Sequence, residues 1–237
     1  MEEPVMHKNP CALVIGVGVG TGYQAVKRFA AGGYDVAMIA RNHGRLEKYE
    51  AEIEGAFGYP VDITNIEAFD RQLNEIIANH GLPQVVVFNA FQGVFGDFLE
   101  IDPMQLAMNF NTNVMAFLHV TRKLSPLMLE LGHGVFIVTG NAAAIRGKSN
   151  FAGIAPTKAA QRILAESIAR SLGPKGIHVA YVVIDAVIDV QWSMNRSNND
   201  DYFIQPNDIA EELWHIAHQP RGAWSFNVEL RPYKEIW

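Results

Sequence analysis

The residues best suited to chemistry are three glycines, Gly16, Gly20 and Gly22, which follow a short apolar run at residues 12–15. A helical pattern begins directly after them. Glycine lets a backbone turn tightly and approach a pyrophosphate, and a helix that starts there offers unpaired amides and the positive end of its dipole. This order predicts a phosphate-binding turn formed by Gly16, Val19, Gly20, Thr21 and Gly22. The alternative is that the glycines serve only packing.

A second feature bears on which nucleotide could bind. Arg41 follows the second predicted strand, and Ala40 leaves the usual acidic position there without a carboxylate. An acidic side chain accepts a hydrogen bond from the ribose 2′-hydroxyl of NAD(H), whereas arginine accommodates the 2′-phosphate of NADP(H). The sequence therefore favours NADP(H), with NAD(H) possible. A solvated loop arginine is the alternative interpretation.

The elements that must position these residues alternate along the chain. Short apolar runs, typical of strands buried on both faces, alternate with helical patterns, and this order predicts right-handed crossovers and a doubly wound parallel sheet. We expect about seven strands, helices on both faces, and ligands at the carboxyl ends of the strands. The predicted strands are 12–15, 35–40, 58–60, 85–89, 135–139, 178–184 and 226–230, and the predicted helices are 22–31, 44–54, 66–79, 103–131, 151–172 and 207–218.

Length and composition limit the classes of function. The 237 residues predict a tail at 1–10 and a single domain at 11–237. A net charge of −6 without a basic run argues against nucleic acid as a partner. One cysteine, no apolar leader and no long apolar span predict a cytoplasmic protein without a membrane segment. His215 and His218 lack further residues at ligand spacing, so we expect no metal site.

The spacing Gly16-x-x-x-Gly20-x-Gly22 resembles the glycine motif of the short-chain dehydrogenase/reductase family, and the likeness extends from Cys11 to Leu230. It implies a Rossmann-type three-layer α/β fold and an NAD(P)-dependent oxidoreductase. By the same resemblance, Asp62 and Ile63 border the adenine and Asn89 and Ala90 lie behind the cofactor. An N-cap role for Asp62 remains an alternative. The family has glycine where this chain has Phe91, a change that alters the pocket wall.

The resemblance also locates the family's catalytic residues, and here the chain departs from the pattern. Lys158 matches the lysine that holds the nicotinamide ribose, and Asn113 matches the asparagine that bends its helix and holds a water beside that lysine. Ile154 stands at the usual tyrosine position, four residues before Lys158, and Asn141 stands at the usual serine. The chain thus resembles a divergent subgroup that keeps the lysine but lacks the tyrosine and the serine. Asn113, Asn141 and Lys158 are the expected catalytic residues.

These departures leave more than one function open. The leading hypothesis is a reductase or dehydrogenase of a carbonyl or enoyl substrate. Because a positioned general acid contributes ~10²–10⁴-fold to the rate, such an enzyme would need an atypical proton donor. Asn141 could hydrogen-bond a developing oxyanion. A catalytically inactive NADP(H)-binding sensor or scaffold is the alternative, and hydration or isomerisation through Asp185 is a third. The family also implies a small-molecule substrate and a homodimer or homotetramer assembled through the helices 103–131 and 151–172.

Overall fold

The fold is built on one parallel sheet. In a computed structural model that describes residues 9–190 and 202–235, seven strands pair in the order β3-β2-β1-β4-β5-β6-β9. Every neighbouring pair is parallel. The strands are β1 (Cys11–Ile15), β2 (Asp35–Ala40), β3 (Ala56–Pro60), β4 (Pro83–Phe88), β5 (Gly134–Asn141), β6 (Ile177–Ile184) and β9 (Asn227–Leu230). A separate two-residue pair joins β7 (Val187–Ile188) to β8 (Phe203–Ile204).

Helices cover both faces of the sheet. They are α1 (Thr21–Ala31), α2 (His43–Glu52), α3 (Ile66–His80), α4 (Pro103–Phe110), α5 (Ala116–Leu131), α6 (Ala155–Leu172) and α7 (Pro206–Ala217). Because successive strand residues point to opposite faces, β1 contributes Leu13 and Ile15 to one core and Ala12 and Val14 to the other. Two separate apolar layers result, and the predicted three-layer α/β fold is confirmed.

Cys11 opens β1 and lies in the first of these two layers. Its side chain is 2% exposed, and its Sγ donates to the carbonyl oxygen of Ala12 at 3.8 Å. Burial, helped by the negative charge of Asp35, raises the pKa of this thiol to about 12. Cys11 is therefore an inert core residue in the folded chain.

The structure corrects two predicted helices. Helix α6 begins at Ala155 rather than at residue 151, because Phe151 forms an isolated parallel bridge with Gly96 and Pro156 occupies the first turn of the helix. The predicted helix 103–131 is interrupted by a π-helical segment, Asn111–Met115, between α4 and α5. Single-turn π segments often occur at functional sites, and this one contains Asn113.

The sheet order fixes where a ligand can lie. Strand β1 pairs with β2 on one side and with β4 on the other, so the connections that leave β1 and β4 run in opposite directions across the sheet. Such a switch point opens a crevice outside the carboxyl ends of the strands. The glycine turn after β1 and the loop after β4 face this crevice.

The described residues also bear on two other classes of site. None of the helices seen there has the length and apolar character needed to cross a bilayer. Within the same residues, histidine, cysteine, aspartate and glutamate side chains form no group of three or more that could hold a metal ion. The boundaries of the single predicted domain stay a prediction, because residues 1–8, 191–201 and 236–237 lie outside the description.

Candidate nucleotide site and the residues behind it

A cleft of ≈ 670 Å³ opens at the carboxyl ends of β1, β2, β3 and β4. This volume lies within the ~300–1,000 Å³ typical of small-molecule sites. Four segments and two helix residues line the cleft: 16–18, 39–42, 61–63 and 89–92, together with Arg45 and Thr112. Gly16, Arg41, Asp62, Ile63, Asn89 and Ala90 of the predicted cofactor set are therefore brought together. Val19, Gly20, Thr21, Gly22 and Lys158 do not line this cleft.

The glycine turn forms the floor of the cleft. Gly16 has a φ of 91°, and a Cβ there would lie 2.4 Å from the backbone nitrogen of Ala90. A Cβ on Gly22 would lie 2.6 Å from the Gly16 carbonyl oxygen, whereas a Cβ on Gly18 would have no atom within 4 Å. Gly16 and Gly22 are thus required by packing, and Gly18 faces open space. A Cβ on Gly20 would meet Val190, which covers that side of the turn.

Two observations at the start of α1 fit a phosphate group. No side chain caps this helix, so the first-turn amides lack side-chain acceptors. The Thr21 Oγ1 atom is buried and finds no hydrogen-bond partner in the described part of the chain. Unpaired donors beside the positive end of a helix dipole suit the diphosphate of a dinucleotide. The residues present therefore fit this part of the cofactor that the family implies.

Positive charge lines the cleft beyond β2. Arg41 and Arg45 both line the cleft, and Asn42 caps helix α2 by accepting a hydrogen bond from the Arg45 amide at 2.9 Å. A 2′-phosphate placed here would meet two guanidinium groups, which bind phosphate through planar pairs of N–H donors. Arg45 was not among the predicted residues, although it lies only four residues after Arg41 in the sequence, in the first turn of α2.

Asp62 follows β3 and lies on the same side of the cleft as Arg41, where two hydrogen bonds hold it in place. Its Oδ1 accepts from the Thr64 amide at 2.9 Å and from Thr64 Oγ1 at 2.7 Å. Partial burial raises the pKa of the Asp62 carboxyl, but these two hydrogen bonds and the charge of Arg41 outweigh it and leave the pKa below 3.8. Asp62 is therefore ionised at neutral pH and fixes the turn, and the helix α3 that follows is capped by Asn65 instead.

The end of β4 is tied to its neighbours through Asn89. Its Nδ2 donates to the Gly16 carbonyl at 2.8 Å, and its Oδ1 accepts from Thr139 Oγ1 at 2.9 Å. These bonds join the ends of β1, β4 and β5 at the back of the cleft. Asn89 therefore holds the floor of the site rigid.

Asn113 uses its side chain to shape the loop after β4. Its Oδ1 accepts from the Gln92 amide at 2.9 Å, and its Nδ2 donates to the Gln92 carbonyl at 2.6 Å and to Thr157 Oγ1 at 2.9 Å. The side chain is fully buried and fully engaged. Asn113 is thus a positioning residue in this structure.

Lys158 lies behind the cleft in a buried hydrogen-bond network. The side chain is 2% exposed, and its Nζ donates to the Thr139 carbonyl at 3.0 Å and to Gln161 Oε1 at 2.8 Å. Gln161 Nε2 in turn donates to the Asn113 carbonyl at 2.6 Å. Burial lowers the pKa of Lys158 to about 7. Gln161 therefore bridges Asn113 and Lys158 directly, where the family resemblance implied a water.

Phe91 covers this lysine on the cleft side. The Nζ of Lys158 lies 5.2 Å from the centroid of the Phe91 ring, a distance typical of a cation–π contact. A Cβ added to Gly93 would lie 2.5 Å from Phe91 Cζ and 3.0 Å from Ile154 Cγ1. The ring thus rests on Gly93, next to Ile154, and separates Lys158 from the cleft.

The remaining predicted catalytic positions offer no acid. Ile154 is 2% exposed and precedes α6, and Asn141 Oδ1 accepts from the Ala143 amide at 3.1 Å. Tyr181, on β6, lies on the far side of the lysine network. Its hydroxyl donates to the Lys158 carbonyl at 3.3 Å, and burial raises its pKa above the usual value. Tyr181 therefore does not line the cleft.

Asp185, through which hydration or isomerisation could proceed, and the nearby Asp189 both have fixed partners. The Asp185 oxygens accept from Arg146 Nη2 at 2.9 and 2.8 Å, and Arg231 Nη2 lies 3.5 Å from Asp185 Oδ2. Asp189 Oδ2 accepts from Gln205 Nε2 at 2.7 Å. Proton transfer by Asp185 would break its pair with Arg146, so the structure disfavours the isomerase or hydratase hypothesis.

Comparison with known proteins agrees with the fold and the nucleotide cleft. Residues 10–201 match the family described as short chain dehydrogenase. The chain belongs to the short-chain dehydrogenase family.

Individual relatives give the extent of the similarity. The chain is 29% identical over 191 residues to L-xylulose reductase of Mesocricetus auratus, covering 80% of this chain and 75% of that one. A short-chain dehydrogenase of Rhodopseudomonas palustris superposes with a TM-score of 0.84 at 32% identity, covering 95% of this chain and 100% of that one. A metagenomic short-chain oxidoreductase crystallised with NADP gives 0.83 at 23% identity, with 95% and 98% covered. The last comparison shows the fold alone.

Proposed function

We propose that this protein is an NADP(H)-dependent oxidoreductase that acts on a carbonyl or enoyl substrate, in a subgroup of the family that keeps the lysine without the tyrosine and serine. The observation that carries the proposal is the cleft at the switch point, with two guanidinium groups at one end and an uncapped helix beside its floor. A small-molecule substrate is the corresponding partner.

Particular residues would hold the cofactor. Arg41 and Arg45 would bind the 2′-phosphate, and the apolar side chains of Ile39 and Ile63 would contact the adenine. The amides after Gly20 and the hydroxyl of Thr21 would hold the diphosphate. NADP(H) is favoured over NAD(H) because two arginines line the site and position 40, at the end of β2, is alanine rather than an acidic residue.

When bound, NADPH supplies a hydride that converts the C=O group of the substrate to an alkoxide and leaves NADP⁺. The alkoxide then needs one proton from this chain. Lys158 is the proposed donor once the adjacent Phe91 ring has moved aside, because a general acid works best when its pKa lies near the working pH, and that of Lys158 is about 7. Its ammonium becomes an amine as the alcohol forms, and it recovers a proton from solvent after product leaves.

A second function is supported by a different observation. The chain has isoleucine at position 154, and the ring of Phe91 lies between Lys158 and the cleft. A protein that binds NADP(H) without turnover, as a sensor or scaffold, would show this arrangement. Nucleotide binding is common to both proposals, whereas turnover distinguishes them.

The test is calorimetric titration followed by rate measurement. We expect NADP⁺ to bind more tightly than NAD⁺, and Arg41→Ala or Arg45→Ala each to weaken NADP⁺ by ~10–100-fold, since a hydrogen bond to a charged group contributes about 1.5–3 kcal/mol. Binding of NAD⁺ should change little. Arg71→Ala is the matched control, because Arg71 is exposed on α3 outside the cleft. Equal losses of affinity for NADP⁺ and NAD⁺ would contradict the proposed role of the two arginines.

Turnover is then measured by following NADPH consumption with aldehydes, ketones and enoyl thioesters. A steady rate with any of them supports the oxidoreductase. Tight nucleotide binding without turnover across the whole panel supports the sensor or scaffold. Absence of binding to either nucleotide would overturn both proposals.

The chain is also proposed to form a homodimer or homotetramer. Exposed apolar side chains on α4 and α6 support this, with Met104 69%, Met108 51% and Ile163 59% exposed. Apolar residues grouped on an outer surface often mark an interface. Light scattering of the purified protein tests the proposal, and a monomer at micromolar concentration would contradict it.

A further inference from the structure

The nucleotide cleft and the lysine network are separated by one side chain. The cleft extends along the loop after β4 as far as Phe91, Gln92 and Thr112. Lys158 and Ile154, each 2% exposed, lie beyond it and contribute nothing to its walls. A ligand in the cleft therefore reaches Lys158 only if a side chain at the inner end of the cleft moves.

Phe91 is the side chain that must move. Phe91 is 48% exposed and lines the cleft, and the centroid of its ring lies 5.2 Å from the Nζ of Lys158. Phe88, Phe117 and Phe136, by contrast, are buried in the core. A side chain that is about half exposed can move to another staggered rotamer without opening a cavity in the core.

The glycine turn is covered on one side and open on the other. A Cβ added to Gly20 would lie 2.7 Å from Val190 Cγ1, whereas a Cβ added to Gly18 would meet no atom within 4 Å. Gly18 and Arg41 both line the cleft, and Gly20 does not. This open part of the cleft suits the adenosine half of a nucleotide.

We propose that Phe91 is a specificity-determining plug that closes the inner end of the cleft, so that the protein gains its affinity for NADP(H) from the adenosine 2′-phosphate half and the nicotinamide half enters only after the ring swings out. This inference rests on the proposed function, since it assumes that the cleft binds NADP(H). It predicts that removing the ring adds affinity for the whole dinucleotide and none for its adenosine half.

The experiment compares two probes, NADP⁺ and adenosine 2′,5′-bisphosphate, by calorimetry. For the unaltered protein we expect dissociation constants within about threefold of each other, because the nicotinamide half adds no contacts that offset the displacement of the ring. In Phe91→Ala, NADP⁺ should bind about tenfold more tightly or better, while the bisphosphate stays within about twofold. Phe95→Ala is the matched control, since Phe95 is an exposed ring of the same loop outside the cleft.

A second readout follows the lysine itself. An amine-modifying reagent and peptide mass spectrometry report whether Lys158 is accessible. We expect Lys158 to be protected in the unaltered protein and in Phe95→Ala, and modified in Phe91→Ala. NADP⁺ should restore protection in Phe91→Ala, whereas the bisphosphate should not. Phe91→Leu, which keeps an apolar side chain without the ring, gives the same comparison if the alanine variant does not fold.

The outcomes separate this inference from the proposed function. An unaltered protein that binds NADP⁺ far more tightly than the bisphosphate would overturn the plug and leave NADP(H) binding intact. An unchanged affinity for NADP⁺ in Phe91→Ala, with Lys158 still protected, would also overturn it. Failure of both probes to bind the unaltered protein would overturn the proposed function and this inference together.

Discussion

The two sides of the site follow the family pattern to different extents. The nucleotide side, formed by Gly16, Gly18, Arg41, Arg45 and Asp62, keeps an open cleft, a glycine floor and ionised side chains at its walls. The reaction side contains Lys158, which does not line the cleft, and Ile154, four residues before it.

The two sides differ in what is known to constrain their residues. On the nucleotide side, packing alone requires glycine at position 16, because a Cβ there would lie 2.4 Å from the Ala90 nitrogen, whereas Gly18 faces open space. Function therefore has to be argued from the site residues, because the fold alone does not determine it.

The largest expected effect lies on the reaction side. Lys158→Met should lower turnover by ~10²–10⁴-fold, because it removes the proposed proton donor. NADP⁺ affinity should change by less than about threefold, since Lys158 does not line the cleft. Steady-state kinetics and calorimetry measure the two quantities. Lys175→Met, at an exposed position outside the site, is the control. Equal losses of turnover and of NADP⁺ affinity would place Lys158 on the nucleotide side instead.

A pair of glycine substitutions tests the nucleotide side. Gly16→Ala should lower the free energy of unfolding by at least about 3 kcal/mol, because its φ is positive and the new Cβ would lie 2.4 Å from the Ala90 nitrogen. Gly18→Ala should change the free energy of unfolding by less than about 0.5 kcal/mol, since the new Cβ would meet open space. Urea unfolding measures both. We also expect Gly18→Ala to weaken NADP⁺ about tenfold by filling the cleft. Unchanged affinity would remove Gly18 from the binding surface.

The pH dependence of stability tests whether Lys158, on the reaction side, is shielded from water. The pKa of Lys158 is about 7 in the folded protein and near 10.5 when unfolded. Between pH 7 and pH 10.5 Lys158 is protonated in the unfolded chain but not in the folded protein, so the free energy of unfolding rises with pH over this range. The contribution of Lys158 is therefore complete above pH 10.5 and is lost as the pH falls to about 7. The free energy of unfolding changes by up to ~1.4 kcal/mol per pH unit. Urea unfolding at several pH values should show this slope in the unaltered protein and lose it in Lys158→Met. The same pH dependence in the unaltered protein and in Lys158→Met would mean that Lys158 is exposed to water.

The smallest expected effect concerns the bridge between Asn113 and Lys158. Gln161→Glu places a carboxylate about where Gln161 Oε1 now accepts from Lys158 at 2.8 Å. We expect the pKa of Lys158 to rise by about 1–3 units. Gln161→Met, which keeps the length without a charge, should leave the pKa low. An NMR titration of the Lys158 side chain measures the change, and equal values for the two variants would contradict the role given to Gln161.

The sequence predicted the fold well because the information is local and periodic. Apolar runs such as Val85–Phe88 identify buried strands, and the glycine turn identifies the end of β1. The start of α6 was misplaced because the bridge from Phe151 to Gly96 joins residues far apart in sequence. The π segment was expected only as a bend near Asn113.

The site was harder to predict where contacts are not local. The sequence placed Arg41 and Asp62 at the cleft but did not identify Arg45, for which the only available signal was one helical turn of spacing from Arg41. It identified Lys158 but gave no sign that Gln161 binds its amine or that Phe91 covers it. Those facts depend on how α6 packs against β5 and the loop after β4.

Cys11 provides a convenient reporter for the experiments above. It is the chain's single thiol, and it occupies the first residue of the strand that lies beside β2 and β4. Thiol reagents should modify it only when that strand detaches from the sheet. The modification rate then measures how often the centre of the molecule opens, without an engineered label, and nucleotides that bind the folded protein should slow it.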